Sequence, residues 1–338
     1  MIHLNDLPMR VGLGQLSDVT DEHLRFIKQC GCDDFQVNTP RLPGAQRWEY
    51  EDLAHLVQRG SEFDLRLMAI ENIPPSFYDR IMLGQPGREE QLRNVAQTIR
   101  NMQRAEIPIL GYAFMLRGVW RTAFDTPVRG GALATSFRLE EARTLGAGDA
   151  TRFACWNALQ IDREYSEEEI WDNYCWFMER ILPVCDETGV RLALHPDDPP
   201  VPTLGGAGRV FRCFDNFQRA MELFDSPMHG LNFCHGCWSE MRGGDGVLEA
   251  IRYFGERDRI FYIHLRDVHG MVEDFTECWL GDGNCDPVET IRTLKQVGFN
   301  GFILPDHVPR MVDDTEWCHR GRAWAVGYIK ALITAVDA

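Results

Sequence analysis

The sequence predicts an α/β chain folded as a (β/α)8 TIM barrel with a long loop inserted after the fourth strand. Two observations predict it. Short apolar runs alternate with amphipathic stretches along the whole chain, and eight such pairs are present. No shift in composition divides the 338 residues, so they read as one barrel domain, 1–338, rather than two doubly wound halves. The strands are predicted at 10–16, 34–38, 65–71, 107–114, 191–195, 230–234, 260–266 and 301–306. The helical patterns cover 22–30, 50–62, 89–106, 167–188, 216–224, 246–254, 287–297 and 317–336. Ser166 ahead of Glu167, Glu168 and Glu169 supplies an N-cap and an acidic first turn, and Gly189 a stop. Residues 115–165 fit no strand or helix pattern. A connection that long is usually functional, and in a barrel it lies over the active-site face.

Composition narrows the function. Lys and Arg number 35 and Asp and Glu 51, a net charge of −16, which excludes a basic footprint for nucleic acid and disfavours an anionic membrane. A local pocket of arginines still admits a small anionic substrate. No basic segment followed by an apolar run opens the chain, and no stretch is long and apolar enough to span a membrane. Eleven cysteines in a chain able to bury a full core read as thiols in a reducing, cytoplasmic compartment.

Barrel chemistry sits at the C-terminal ends of strands. Those ends carry Glu71, His195, Cys234, His264 and Asp306, with His307 next in sequence. Strands five to eight thus offer His, Cys, His and Asp in succession. Neighbouring strands lie about 4.8 Å apart, so the four side chains converge on one ion. Nitrogen, thiolate and carboxylate donors together suit a divalent transition metal. Arg266, two residues past His264, is placed to grip a substrate carboxylate. Arg121 beside Trp120, together with Arg310 and Glu71, is read as substrate contact.

Other motifs are weaker. Cys234-His235-Gly236-Cys237 is a C-x-x-C without the further pair that a closed zinc site needs, so Cys237 reads as packing. Gly12 and Gly14 follow the first strand, but position 17 is Ser, which leaves the dinucleotide fingerprint incomplete.

At these residues the sequence resembles the mannonate dehydratase family of xylose-isomerase-like barrels. The likeness is densest in Ile70-Glu71-Asn72-Ile73-Pro74, in His195-Pro196-Asp197-Asp198-Pro199-Pro200, in His264-Leu265-Arg266 and in Pro305-Asp306-His307. The resemblance implies a divalent ion, typically manganese (with iron, cobalt or zinc as alternatives), held at His195, Cys234, His264 and Asp306. It implies loss of water from a sugar acid such as D-mannonate, giving a 2-keto-3-deoxy acid, and a homodimer. His307 is the acid/base candidate, with Arg266 and His235 beside it in the catalytic set.

The chain departs from the family's pattern at three places. Family members carry a Gly-Tyr-Gly-Leu-Tyr-Asp-Arg run before the last helix, with a catalytic tyrosine; residues 317–322 hold no tyrosine. Small residues after the cysteine ligand are replaced by His235 and Cys237, and Val308 stands where the family has glycine. His235 or His319 is a replacement proton carrier. The alternative reading is a metal-dependent sugar isomerase or epimerase of the same superfamily.

Overall fold

The computed structural model describes residues 7–144, 154–156 and 158–337. Eight strands close a barrel: β1 (Arg10–Leu16), β2 (Asp34–Asn38), β3 (Arg66–Glu71), β4 (Ile109–Tyr112), β5 (Arg191–Leu194), β6 (His229–Cys234), β7 (Ile260–Leu265) and β8 (Phe302–Pro305). Every neighbouring pair is parallel, and β8 returns to β1. The apolar runs become strands because both faces are covered, as parallel sheets require; β6 and β7 are buried at every residue. Inside the barrel Tyr262 stacks on Phe302 with ring centroids 5.1 Å apart, forming a floor beneath the strand ends.

The helices packed around the barrel are α1 (Asp21–Gln29), α2 (Tyr50–Ser61), α3 (Pro75–Met82), α4 (Arg88–Arg104), α5 (Glu167–Thr188), α6 (Phe214–Leu223), α7 (His235–Gly255), α8 (Pro287–Gln296) and α9 (His319–Asp337), and a further short helix, Leu139–Arg143, lies in the insertion. Ser166 and Glu169 form a reciprocal capping box, each side chain 3.2 Å from the other's backbone nitrogen, and Gly189 ends α5 in the left-handed conformation. Two helical features differ from expectation. α3 is additional: Pro75 in its first turn starts a short helix that the 3.6-residue pattern alone does not reveal. The predicted 246–254 is only the second half of α7. Its first half starts directly at Cys234 and bends at Gly243, whose φ of 69° and ψ of −173° leave the helical region.

The described part of 115–165 is ordered into secondary structure. Ala123–Pro127 and Leu133–Arg138 form a hairpin turned by Gly130 and Gly131, both at positive φ, where no added Cβ would meet a neighbour. Leu133–Arg138 then pairs with Asp274–Cys278, which belongs to a second hairpin leaving β7. A four-stranded antiparallel sheet therefore hangs from the C-terminal end of β7. It has its own apolar cluster, built from Trp120, Phe137, Val201, Val268 and Phe275. Residues 145–153 and 157 of the predicted loop lie outside the described set. Ten of the cysteines, Cys234 and Cys237 among them, are free thiols, and no described helix is long and apolar enough to cross a membrane.

Candidate metal centre and active site

Cys234 ends β6 and pairs across the ladder with His264 of β7, so the two point to one side of the wall as neighbours. His195 is the first residue past β5, and Asp306 the first past β8. Ligand atoms of His195, Cys234 and His264 all lie within 4.8 Å of one another, and all three residues are buried. Asp306 borders the trio: its Oδ2 is 3.9 Å from Cys234 Sγ and its Oδ1 3.7 Å from His264 Nδ1.

Hydrogen bonds fix which imidazole nitrogen faces inward. His195 Nδ1 lies 2.7 Å from the Pro196 carbonyl, so it donates there and leaves Nε2 with its lone pair. His264 is oriented the opposite way. Its Nε2 is 2.8 Å from Glu71 Oε2 and donates to that carboxylate, while its buried Nδ1 has no hydrogen-bond partner. An orphaned imidazole nitrogen beside a thiol and a carboxylate is the donor arrangement a metal ion completes, with Glu71 fixing the ring from behind. Burial opposes ionisation of Cys234. The Cys237 thiol, the Arg266 charge and the two imidazoles overcome it and hold Cys234 well below the usual thiol range. Two imidazoles, a thiolate and a carboxylate fit a divalent metal.

Behind the trio lies a second buried network, centred on Arg266. Its Nη2 is 2.7 Å from Asp198 Oδ2 and 3.2 Å from Cys237 Sγ, its Nη1 2.9 Å from Glu240 Oε1 and 3.1 Å from Glu277 Oε1, and its Nε 3.2 Å from Asp306 Oδ2. Asp198, Cys237 and Glu240 also bring ligand-type atoms within 4.8 Å of each other, but the guanidinium is the cation they surround. Burial, then the Asp198 charge, push Glu240 well above the usual carboxylate range, against the pull of Arg266 and Arg121. Arg121 grips Asp198 through both oxygens, at 2.6 and 2.8 Å, and reaches Glu277 at 2.7 Å.

His307 sits at the open side of this network. Its side chain is 24% exposed, against 1% for His264 and 5% for Glu277. Its Nδ1 is 2.7 Å from Glu277 Oε1. Burial disfavours its charge, but Asp306 and Glu277 outweigh burial and raise it above the ordinary histidine value.

The strand-end residues are thus brought together, and several others are not. The grip on a substrate carboxylate expected of Arg266 and Arg121 is occupied by protein carboxylates. Glu71, expected to touch substrate, instead holds His264. His235 turns away from Cys234: its Nδ1 meets the Arg266 carbonyl at 2.9 Å and its Nε2 meets Thr290 Oγ1 at 3.2 Å, on the outer helix α8. Both ring nitrogens are engaged, so His235 carries no proton at the cluster. Trp120 is enclosed in the apolar cluster of the added sheet, with its Nε1 on the Arg117 carbonyl. Arg310 lies outside, lining an open cleft with Arg129, Trp279 and Trp324. His319 packs among His23, Phe26 and Trp317.

A family model described as D-mannonate dehydratase (UxuA) matches residues 16–338. The chain belongs to the D-mannonate dehydratase family. The mannonate dehydratase of Thermotoga maritima is 30% identical over 327 residues, covering 88% of each chain. Mannonate dehydratase 2 of Halalkalibacterium halodurans is 30% identical over 300 residues, covering 84% of each. The crystal structure of mannonate dehydratase from Streptococcus suis serotype 2 superposes with a TM-score of 0.85 at 26% identity, covering 97% of this chain and 95% of that one. A structure of L-ribulose 3-epimerase gives a TM-score of 0.61 at 13% identity, a likeness of fold alone.

The buried cluster also contains residues not expected from the strand ends. Gln15 and Gln36, both on inward faces of early strands, join Glu71: Gln15 Nε2 is 3.3 Å from Glu71 Oε2, and Gln36 Nε2 also bonds that oxygen. Their signal was a polar residue interrupting an apolar strand. Glu277 had a weaker one, the period-two alternation of its hairpin. Gly14 also finds its reason here: a Cβ on it would collide with the Gln36 side chain and backbone, so no dinucleotide turn is involved.

Proposed function

We propose that this chain is a metal-dependent carbon–oxygen lyase that dehydrates D-mannonate to a 2-keto-3-deoxy acid. The observation that carries this is the convergence of His195, Cys234, His264 and Asp306 at four consecutive strand ends, with the proton-carrying His307 beside them. His195 Nε2, Cys234 Sγ, His264 Nδ1 and Asp306 would hold a divalent ion such as manganese, which would supply Lewis acidity toward an oxygen of the sugar acid.

The chemistry left to the side chains is proton transfer. The carbon α to the carboxylate loses a proton. The β carbon–oxygen bond breaks with its electron pair on oxygen, which takes up a proton and leaves as water. The resulting enol tautomerises to the ketone. His307 is the group assigned to move these protons, because it stands at the open side of the cluster with 24% of its side chain exposed and its ring oriented by Glu277. The Arg266 and Arg121 network holds Asp306 from behind through Arg266 Nε, with both guanidinium groups taken up by Asp198, Glu240 and Glu277. We take the protein to act in the cytoplasm as a homodimer, as the family resemblance implies.

The test is incubation of manganese-loaded protein with D-mannonate, followed by assay for a 2-keto-3-deoxy acid with a carbonyl-specific reagent. Stoichiometric appearance of that acid supports the reading, and no product at high enzyme concentration overturns it.

A further inference from the structure

Gln15 stands out in β1. It has φ of 66°, a left-handed value that a residue with a side chain rarely adopts, and it sits inside a barrel strand. The register with β2 slips at the same place, between Leu13 and Leu16. Such a bulge re-aims one side chain, and strained backbone of this kind collects where function over-determines it.

The amide it re-aims is locked. Asn38 Nδ2 donates to Gln15 Oε1 at 2.5 Å, and the Gln15 backbone N–H donates to Gln36 Oε1 at 2.7 Å. With Oε1 held from outside, Nε2 is the end that faces the barrel mouth. There it lies 3.1 Å from Asp306 Oδ1 and 3.3 Å from Glu71 Oε2. It is also 3.3 Å from His264 Nε2, which donates its proton to Glu71. One amide nitrogen therefore spans the carboxylate that orients His264 and the carboxylate that borders the trio.

We propose that Gln15 is a positioning residue for the metal centre, bridging Glu71 and Asp306 so that Asp306 and His264 are held ready for the ion. The proposal rests on the metal site described above. With Gln15 on Oδ1 and Arg266 Nε on Oδ2, both oxygens of Asp306 have a fixed neighbour from opposite sides. The half of the barrel that offers no metal donor, β1 to β3, thereby sets the geometry of the half that does.

The test is the affinity of the purified protein for manganese chloride, by calorimetric titration, together with the melting temperature of the metal-free form. Gln15→Gly removes the side chain and accepts positive φ without strain; Gln15→Asn accepts that backbone almost as well but leaves the amide one methylene short. Both variants are expected to fold, with a melting temperature close to or above wild type, and to bind manganese about 10–100-fold more weakly. Manganese affinity within twofold of wild type in either folded variant overturns the proposal. Cys234→Ala separates the two levels of the argument. If it abolishes binding while the Gln15 variants bind normally, the role of Gln15 alone falls. If it binds as wild type does, the ligand set itself is wrong and the proposal falls with it.

Discussion

Glu277 Oε1 lies 2.7 Å from His307 Nδ1, and the same oxygen accepts from Arg121 Nη2 at 2.7 Å and Arg266 Nη1 at 3.1 Å. Burial works against the Glu277 charge, yet His307 and the two arginines hold this carboxylate well below its usual range. A carboxylate acceptor at Nδ1 keeps a proton on that nitrogen and so sets the tautomer and orientation of the His307 ring.

Replacing Glu277 with Gln removes that charge at nearly constant shape. We expect kcat to fall by about 10²–10⁴ with KM little changed, because the tautomer and not substrate binding is lost. Steady-state kinetics on D-mannonate provide the check. A rise in KM at constant kcat would point instead to a substrate-binding role.

His307→Ala removes the proton carrier and leaves the four donor side chains themselves in place. Turnover should drop by about 10²–10⁴, the usual worth of general acid–base catalysis, while bound manganese stays at the wild-type ratio. Metal analysis of the dialysed variant, run beside the kinetics, distinguishes this from damage to the site.

Cys234→Ala deletes the donor at the centre of the trio. The variant is expected to lose most of its manganese on dialysis, and activity should not return at manganese concentrations that saturate wild type. Elemental analysis gives the occupancy directly.

A pH dependence of stability follows from His229, remote from the metal. It is buried, with its Nε2 3.1 Å from the Tyr174 hydroxyl and its Nδ1 3.1 Å from the Phe224 carbonyl, and burial pushes it from 6.5 down to about 4. The unfolded chain therefore binds a proton more readily than the folded one between those values. The contribution is fully present above about pH 6.5 and is lost as pH falls through 4, roughly 3 kcal/mol in all. Denaturant midpoints across that window should decline in wild type and decline less in His229→Gln.

The convergence of these side chains was legible because strand ends are forgiving. His195 lies one residue past β5 and Asp306 one past β8, so errors of a residue in the predicted strands did not displace the candidate donors. His235 was misplaced for a local reason. It follows a ligand directly, and at a strand-to-helix junction the next side chain points to the other side of the wall. The carboxylates around Arg266 were not legible at all. Asp198, Glu240 and Glu277 come from three separated segments, and only the folded chain shows that they fill the guanidinium. The same holds for the insertion, whose hairpin at Gly130 and Gly131 has a pattern too short to commit until Asp274–Cys278 arrives as its pairing partner.

The most direct test of the central claim is proton NMR of D-mannonate turned over by the manganese-loaded protein in deuterium oxide. The α-proton signal should disappear, and a 2-keto-3-deoxy acid should accumulate with one deuterium at the new methylene carbon. Recovery of a sugar acid that has exchanged deuterium at the α-carbon but kept every hydroxyl would contradict it.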